Sequence, residues 1–559
     1  MITMNKSLLM LAISAVLITG CNNENITKVK EEAEVIKEKM PKEVAHVKNL
    51  ILMIGDGMGA QQIGLLEEYA RRAPHSIYNG KGNITGLTKF AEAGQLGLSL
   101  SAPYGVNGSL VADSACSATQ LAIGKASGSE MIGLDRAGDI TKTILEKAKA
   151  IGKATGLVSD TRMTHATPAA FASHQPHRSH ETAIAEQMIE AGSVDVLLSG
   201  GARAFLPADI STNSLAINTM EKVGAPAAIY EASKRTDDRN LILEAQDKHG
   251  YTLAFDGEQL NKATGTKLLG LFANSGMADG IAYKACKANN SCVQPSLRNM
   301  TLKALDVLSK DEDGFFLMVE GGQIDWAGHI NDTGWLLHEL IKFDEAIDAV
   351  YEWVKDRDDT LVIITGDHET GGFGFSYSAH NLPEAQSLSG DGMRGKDYQP
   401  KFNFGALSLL DKFYAQTATF KDMLNNVKAK TELANATGQD WADVINPNSA
   451  FKVTSEQAAK VALRGNNDYY SAGHRYLGDA QFPVIDDFKA FYVYGDELHG
   501  NLIGRALSTE QNVVWGTGTH TAAPLPVYAF GPEKIIKQFS TLQYHVELSQ
   551  KMMTALLPE

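Results

Sequence analysis

Short, continuous apolar runs bounded by Gly or Asp recur along the chain at 50–54, 155–159, 194–198, 315–319, 361–365 and 527–530. Runs of this length and flanking predict buried strands. Between them the apolar spacing changes to that of a helix. Over 335–354, Leu337, Leu340, Ile341, Ile347, Val350, Tyr351 and Val354 fall on one helical face, and 141–150 reads the same way. Strands alternating with helices predict an α/β fold: a mainly parallel central sheet with helices on both faces. Two stretches break the rhythm, approximately 202–290 and 376–506, and neither has the composition of a linker. They are read as large insertions decorating one domain over 49–559. The second contains a helix over 454–464, where Thr454 and Gln457 make a capping box, and an aromatic-rich tail over 469–494. Two roles stand open for it, a dimer contact or a lid.

The N-terminus reads as an address. Lys6 precedes an apolar run over 8–18 that is too short for a membrane span of about 20 residues. The run closes in Leu17-Ile18-Thr19-Gly20-Cys21, and polar Asn22-Asn23-Glu24-Asn25 follows. This predicts a lipoprotein-type signal peptide over 1–20 with a lipid anchor at Cys21, in preference to a simple cleaved signal. Residues 21–48, rich in Lys and Glu, would be a charged tether. The expected location is the periplasm or the outer membrane of a bacterium.

Composition narrows the partners. With 559 residues, 44% hydrophobic and 21% charged, the chain is of the folded class, and its net charge of −15 lacks the basic footprint of a nucleic-acid-binding surface. Four cysteines are too few for a disulfide framework. Cys286 and Cys292, six apart in a polar stretch, are expected to pair in an oxidising compartment.

In open parallel sheets ligands bind beyond the carboxyl ends of the strands. In this chain those positions are acidic or His: Asp56 after the first run, Glu320 after the fourth, then Asp325 and His329, and the pair Asp367-His368 after the fifth. Any one of them could cap the following helix. Several carboxylates at one rim repel unless cations neutralise them, which points to a polynuclear metal site. Asp325 and His329 are four apart, so on a helix both side chains point the same way and can share one ion. Imidazole with carboxylate suits Zn²⁺, whereas carboxylate with hydroxyl and water suits Mg²⁺.

The segment Asp113-Ser114-Ala115-Cys116-Ser117-Ala118-Thr119 precedes helix-forming residues. Ser114 would stand at a helix N-terminus, as a nucleophile where exposed N–H groups favour phosphates or as a plain N-cap, and the segment alone does not choose. Cys116 is expected to be a small buried residue. Gly55-Asp56-Gly57-Met58-Gly59 lacks the spacing of a dinucleotide loop and sets a carboxylate where pyrophosphate would lie.

Taken in order, the motifs GDGMG, DSACSAT, THATPAAF, MVEGGQIDWAGH, TGDHETGG and GTGTHT resemble the alkaline phosphatase family from about Asn49 to the C-terminus. The WAGH and HATPAA variants and the long second insertion look most like the cold-active enzymes of marine bacteria. The resemblance implies metal-dependent hydrolysis of phosphate monoesters through a phosphoserine intermediate, with inorganic phosphate as product, and a homodimer. It implies two Zn²⁺ and one Mg²⁺ per chain. One zinc would be held by Asp325, His329 and His520, and the other by Asp56, Asp367 and His368 with Ser114. The Mg²⁺ would be held by Asp56, Thr167 and Glu320. Ser114 would be the nucleophile, neighboured by Asp113, and Arg178 the phosphate clamp, its planar fork matching two phosphoryl oxygens.

Two positions depart from the enterobacterial pattern, His165 in place of Asp and Trp326 in place of Lys. These weaken the expectation for the third metal. His165 either supports the metal ligands from behind or reaches the ion through a water, or it is an ordinary His after a strand. His174, His177 and His180, near Arg178, are expected to be solvated or structural. A sulfatase or phosphodiesterase would use a similar rim, but a sulfatase wants Pro and Arg after its nucleophile, and Asp113-Ser114-Ala115-Cys116-Ser117 has neither. A lipoprotein with purely structural metals would need neither Ser114 nor Arg178.

Overall fold

Ten strands form one sheet in the computed structural model, which describes residues 46–104 and 108–558. The expected signal peptide over 1–20, Cys21 and residues 21–45 of the expected tether lie outside the described residues. In chain order the strands are β1 (Asn49–Gly55), β2 (Gln95–Leu100), β3 (Ala154–Arg162), β4 (Val196–Gly200), β5 (Thr252–Ala254), β6 (Leu268–Leu271), β7 (Phe315–Gly321), β8 (Thr360–Gly366), β9 (Leu525–Phe530) and β10 (Leu542–Tyr544). Their spatial order is β10-β2-β9-β8-β1-β7-β3-β4-β6-β5. Every neighbouring pair is parallel except those of β9, which runs against both β2 and β8.

The continuous apolar runs follow from burial on both faces. All seven residues of β1, β7 and β8 are buried. Alternate residues serve opposite layers: Ile51 and Met53 of β1 join one core, and Leu50, Leu52 and Ile54 join the other. Burying each such side chain contributes about 1.5–3 kcal/mol before conformational entropy is offset.

Seven helices matter for the site: α1 (Ala60–Arg72), α2 (Ser114–Ile123), α3 (Ala166–Ala172), α4 (Gln323–Ile330), α5 (Thr333–Val354), α6 (Leu498–Gln511) and α7 (His545–Leu556). The long α5 packs its apolar face on one side of the sheet and α2 and α7 cover the other. The helix expected over 335–354 starts slightly earlier, because Asp332 caps it by accepting from Trp335 N. The helix expected over 454–464 is Ser455–Ala462, with Thr454 and Gln457 forming the capping box. Within 202–290, β5 and β6 extend one edge of the sheet, whereas 376–506 adds no strand to it. Cys286 and Cys292 form a disulfide, and Cys116 is free and buried. Among the described residues no helix is long and apolar enough to cross a membrane.

Register sets the level of the site. Gly55 of β1 lies opposite Gly321 of β7 and Gly366 of β8, so the three strands end together and their next residues emerge on one rim.

Candidate active site

Asp56 leaves β1, Asp367 and His368 leave β8, and Glu320 sits near the end of β7. Gly57, with φ +74, turns the chain so sharply that a Cβ there would lie 2.8 Å from the Asp325 Cα. Only glycine accepts both the left-handed backbone and that approach. Its N–H donates to Asp367 Oδ1 at 3.2 Å. Asp325 and His329 lie one turn apart on α4. His520 arrives through a short strand, His520–Thr521, that pairs antiparallel with Glu369–Thr370.

The side chains converge as three groups. Asp325, His329 and His520 form one, Asp56, Asp367 and His368 a second, and Asp56, His165 and Glu320 a third; within each, ligand atoms lie within 4.8 Å of one another. In the first, Asp325 Oδ1 is 3.3 Å from His329 Nε2 and 3.5 Å from His520 Nε2, and the two Nε2 atoms are 3.1 Å apart. In the second, His368 Nε2 is 3.4 Å from Asp56 Oδ1, 3.3 Å from Asp367 Oδ2 and 3.1 Å from Ser114 Oγ. Donors at about 2.0–2.1 Å from a tetrahedral ion stand roughly 3.3 Å from each other. The spacing therefore fits a tetrahedral ion in each group. Asp56 Oδ1 and Glu320 Oε1 are buried without a hydrogen-bond partner, as carboxylate oxygens kept for a cation would be.

The electrostatics of these side chains favour a cation. Burial raises Asp56 well above the usual carboxylate range, and Asp367, Asp325 and Glu320 push it further. Burial also pushes Glu320 up to about 8 and Asp367 up to about 6. Burial alone would raise Asp325 too, but His329 and His520 outweigh it and hold it low. Burial lowers His368 and His165, keeping both imidazoles neutral. A neutral imidazole is the form that binds metal.

Ser114 is the first residue of α2, and the capping is done by its neighbour: Asp113 Oδ1 accepts from Ala115 N at 2.8 Å and Cys116 N at 3.2 Å. Ser114 Oγ is thereby left to face His368. Arg178 approaches from the other side, its Nη1 3.9 Å from Asp113 Oδ1 and its Nη2 donating to His165 Nε2 at 3.2 Å. Burial pushes the Cys116 thiol up, which removes it as a rival nucleophile. Thr167, on α3, has its Oγ1 3.5 Å from Asp56 Oδ2. His165 meets the edge of Trp326 with ring centres 5.9 Å apart, and Arg162 lies over the Trp326 face at 6.0 Å. His174 pairs with Glu146, His177 with Glu130 and His180 with Gln175, so none of the three joins a metal group.

Several residues that support the site were not singled out from the sequence. Ser159 and Thr161 of β3 both donate to Glu320 Oε2. Thr370 Oγ1 donates to Asp325 Oδ1 at 2.6 Å. Polar residues closing an apolar strand, and a Thr beside the Asp-His pair, were the available signals. From the second insertion, Tyr494 meets the edge of His329 at 5.0 Å, and Asn501 of α6 donates to the His329 carbonyl. Tyr494 closes the aromatic-rich tail over 469–494, whereas nothing in the local sequence marks Asn501.

A doubly covered parallel sheet whose strand ends gather three carboxylate-histidine groups beside a helix-start serine and an arginine defines a metal-dependent hydrolase of phosphate esters. The alkaline phosphatase profile matches residues 47–464, and the chain belongs to that family of metal-dependent phosphomonoesterases, whose reaction passes through a phosphoserine. It is 29% identical over 540 residues to alkaline phosphatase 4 of Bacillus subtilis, covering 95% of this chain and 93% of that one. The cold-active alkaline phosphatase of a psychrophilic Shewanella superposes with a TM-score of 0.63 at 25% identity, over 91% of this chain and all of the other. The Thermus thermophilus alkaline phosphatase shares the fold, with a TM-score of 0.69 at 24% identity over 93% of each chain.

Proposed function

We propose that this phosphomonoesterase uses Ser114 as its nucleophile and Arg178 as its phosphate clamp, over two Zn²⁺ and one Mg²⁺ per chain. One zinc belongs to Asp325, His329 and His520, the other to Asp56, Asp367, His368 and Ser114, and the Mg²⁺ to Asp56, Thr167 and Glu320. When bound, the metals supply Lewis acidity, neutralising the attacking and leaving oxygens of an in-line displacement. The observation that carries the reading is the 3.1 Å approach of Ser114 Oγ to His368 Nε2, at a helix start capped by another residue.

The chain's own residues then have definite tasks. Ser114 Oγ gives its proton to solvent and attacks phosphorus, so that an Oγ–P bond forms as the ester P–O bond breaks and the departing alkoxide takes a proton from water to leave as the alcohol. Arg178 donates two parallel hydrogen bonds to equatorial phosphoryl oxygens, and the N-terminal end of the α2 dipole favours their negative charge. Asp113 limits how far Arg178 can swing. Water then cleaves the Oγ–P bond and frees inorganic phosphate.

The third site has a specific complication. His165 shares its group with Asp56 and Glu320, and a nitrogen donor there favours Zn²⁺ over the all-oxygen environment that Mg²⁺ prefers. Elemental analysis of the purified protein, alongside turnover of p-nitrophenyl phosphate, tests both stoichiometry and identity.

The same proposal includes a lipoprotein anchored at Cys21 in the periplasm or outer membrane, a catalytic domain over 49–559 with insertions at about 202–290 and 376–506, and a homodimer.

A further inference from the structure

Beneath the metal groups lies a second buried charge cluster to which neither the reaction nor the metals assign a part. Lys342, on α5, places its Nζ 3.1 Å from Asp160 Oδ2 of β3 and against Glu339 Oε2 one turn back on α5. Their side chains are 4%, 3% and 0% exposed. Burying three charges is costly, and a buried ion pair seldom adds net stability over apolar residues of the same volume. What such a cluster can supply is a fixed geometry.

Its contacts show which geometry. Asp160 Oδ1 accepts from Gly322 N at 2.8 Å, and the Asp160 carbonyl accepts from Gln323 Nε2 at 2.9 Å. Both partners open α4, which carries Asp325. The residues on either side of Asp160, Ser159 and Thr161, point the other way and donate to Glu320. One three-residue stretch of β3 therefore grips Glu320 with its flanking hydroxyls and the start of α4 with its central carboxylate. The corner between them is tight: a Cβ on Gly322 would lie 2.3 Å from Thr161 Cγ2 and 2.9 Å from Glu320 Cδ. On the far side, Glu339 Oε1 accepts from Trp335 Nε1 at 2.7 Å and from Gly280 N, which ties the cluster to the first turn of α5 and to the start of the helix Gly280–Ala288. Burial works against the Lys342 charge, but Asp160 and Glu339 outweigh it and hold the ammonium charged.

We propose that Lys342, Asp160 and Glu339 form a positioning triad that sets the spacing between Glu320 and Asp325, and through it the registration of the third metal against the first. This rests on the three-metal reading above. The triad touches no substrate, so its loss should act through metal retention and through kcat rather than through substrate binding.

The test compares wild type, Lys342→Met, Lys342→Arg, Asp160→Asn and Glu320→Gln. It reads metals per chain after dialysis by elemental analysis, and kcat and KM for p-nitrophenyl phosphate well below the melting transition. Lys342→Met and Asp160→Asn should each retain one metal fewer, or require at least about tenfold more Mg²⁺ to refill, with kcat down about tenfold or more and KM within about threefold. Lys342→Arg should recover the metal count, since it restores the charge. Asparagine still accepts from Gly322 N, so Asp160→Asn decides the matter if Lys342→Met does not fold. Folded variants that keep three metals and wild-type kcat, and only melt lower, overturn the triad. If Glu320→Gln leaves the wild-type metal count unchanged, it is the reading of the third site that fails instead.

Discussion

The Nε2 atoms of His329 and His520 face one another at 3.1 Å, while each ring's Nδ1 donates to a carbonyl, that of Gly518 for His329 and that of Ala112 for His520. Carbonyls only accept, so both Nε2 atoms present lone pairs to the same point. A cation must lie between them, either a proton or a metal ion. In the absence of metal the proton serves: burial opposes the His329 charge, but Asp325 outweighs it and pushes the imidazole up to about 9.

Chelation should therefore abolish turnover and also change how stability depends on pH. A histidine whose folded pKa lies above its unfolded value of about 6.5 contributes stability below pH 6.5 and loses it as pH rises through about 9. Metal-free protein should lose thermal stability over that window, and reconstituted protein should not. Melting curves from pH 6 to 10 with and without Zn²⁺ check this, and parallel curves would refute it.

Ser114 and Arg178 should fail differently. Ser114→Ala removes the covalent route, so acid quenching with labelled phosphate should trap no phosphoenzyme. Arg178→Ala keeps the nucleophile but loses charge-assisted hydrogen bonds worth about 1.5–3 kcal/mol, or roughly ten- to a hundredfold in kcat/KM. Inhibition by phosphate should weaken in parallel.

At the third site, His165→Asp exchanges a nitrogen donor for oxygen beside Asp56 and Glu320. Oxygen-only ligation should move its preference towards Mg²⁺. Competition between Zn²⁺ and Mg²⁺, followed by metal analysis, should show a Mg²⁺ requirement at least about tenfold lower in the variant. No change in preference would mean that His165 does not reach the ion.

Cys21→Ser should release the protein from membranes or block its processing. Mass spectrometry of a native chain that starts elsewhere and carries no lipid would contradict the anchor.

The legibility of the sequence followed burial. β1, β7 and β8 declare themselves because both their faces are covered, which leaves nearly continuous apolar runs, and β3, β4 and β9 do so through shorter apolar cores of the same kind. β2 does the opposite of a half-buried strand, with Leu96 and Leu98 exposed and Ser99 buried, so its pattern misleads. β5, β6 and β10 have three or four residues each, too few for a period. That β9 runs antiparallel depends on where the chain re-enters the sheet, which no local pattern records. The metal-binding candidates were legible because acidic and His side chains at strand ends are chemically conspicuous. Lys342 was hidden because a lysine on a long helix reads as solvated, and only tertiary packing puts it opposite Asp160.

The pairing of His520 with Thr370 has a consequence for the order of events in folding. His520 lies 191 residues after His329, and the whole second insertion is spooled out before the last side chain of that group exists. Both groups close long loops, 310 residues between Gly57 and Asp367 in one and 191 in the other, so loop entropy does not separate them, whereas the position of His520 near the end of the chain does. The two groups proposed to hold zinc should therefore mature asynchronously. Asp56, Asp367 and His368 can assemble from strands paired side by side, while the group containing His520 waits for the C-terminal segment and becomes a late checkpoint on correct folding.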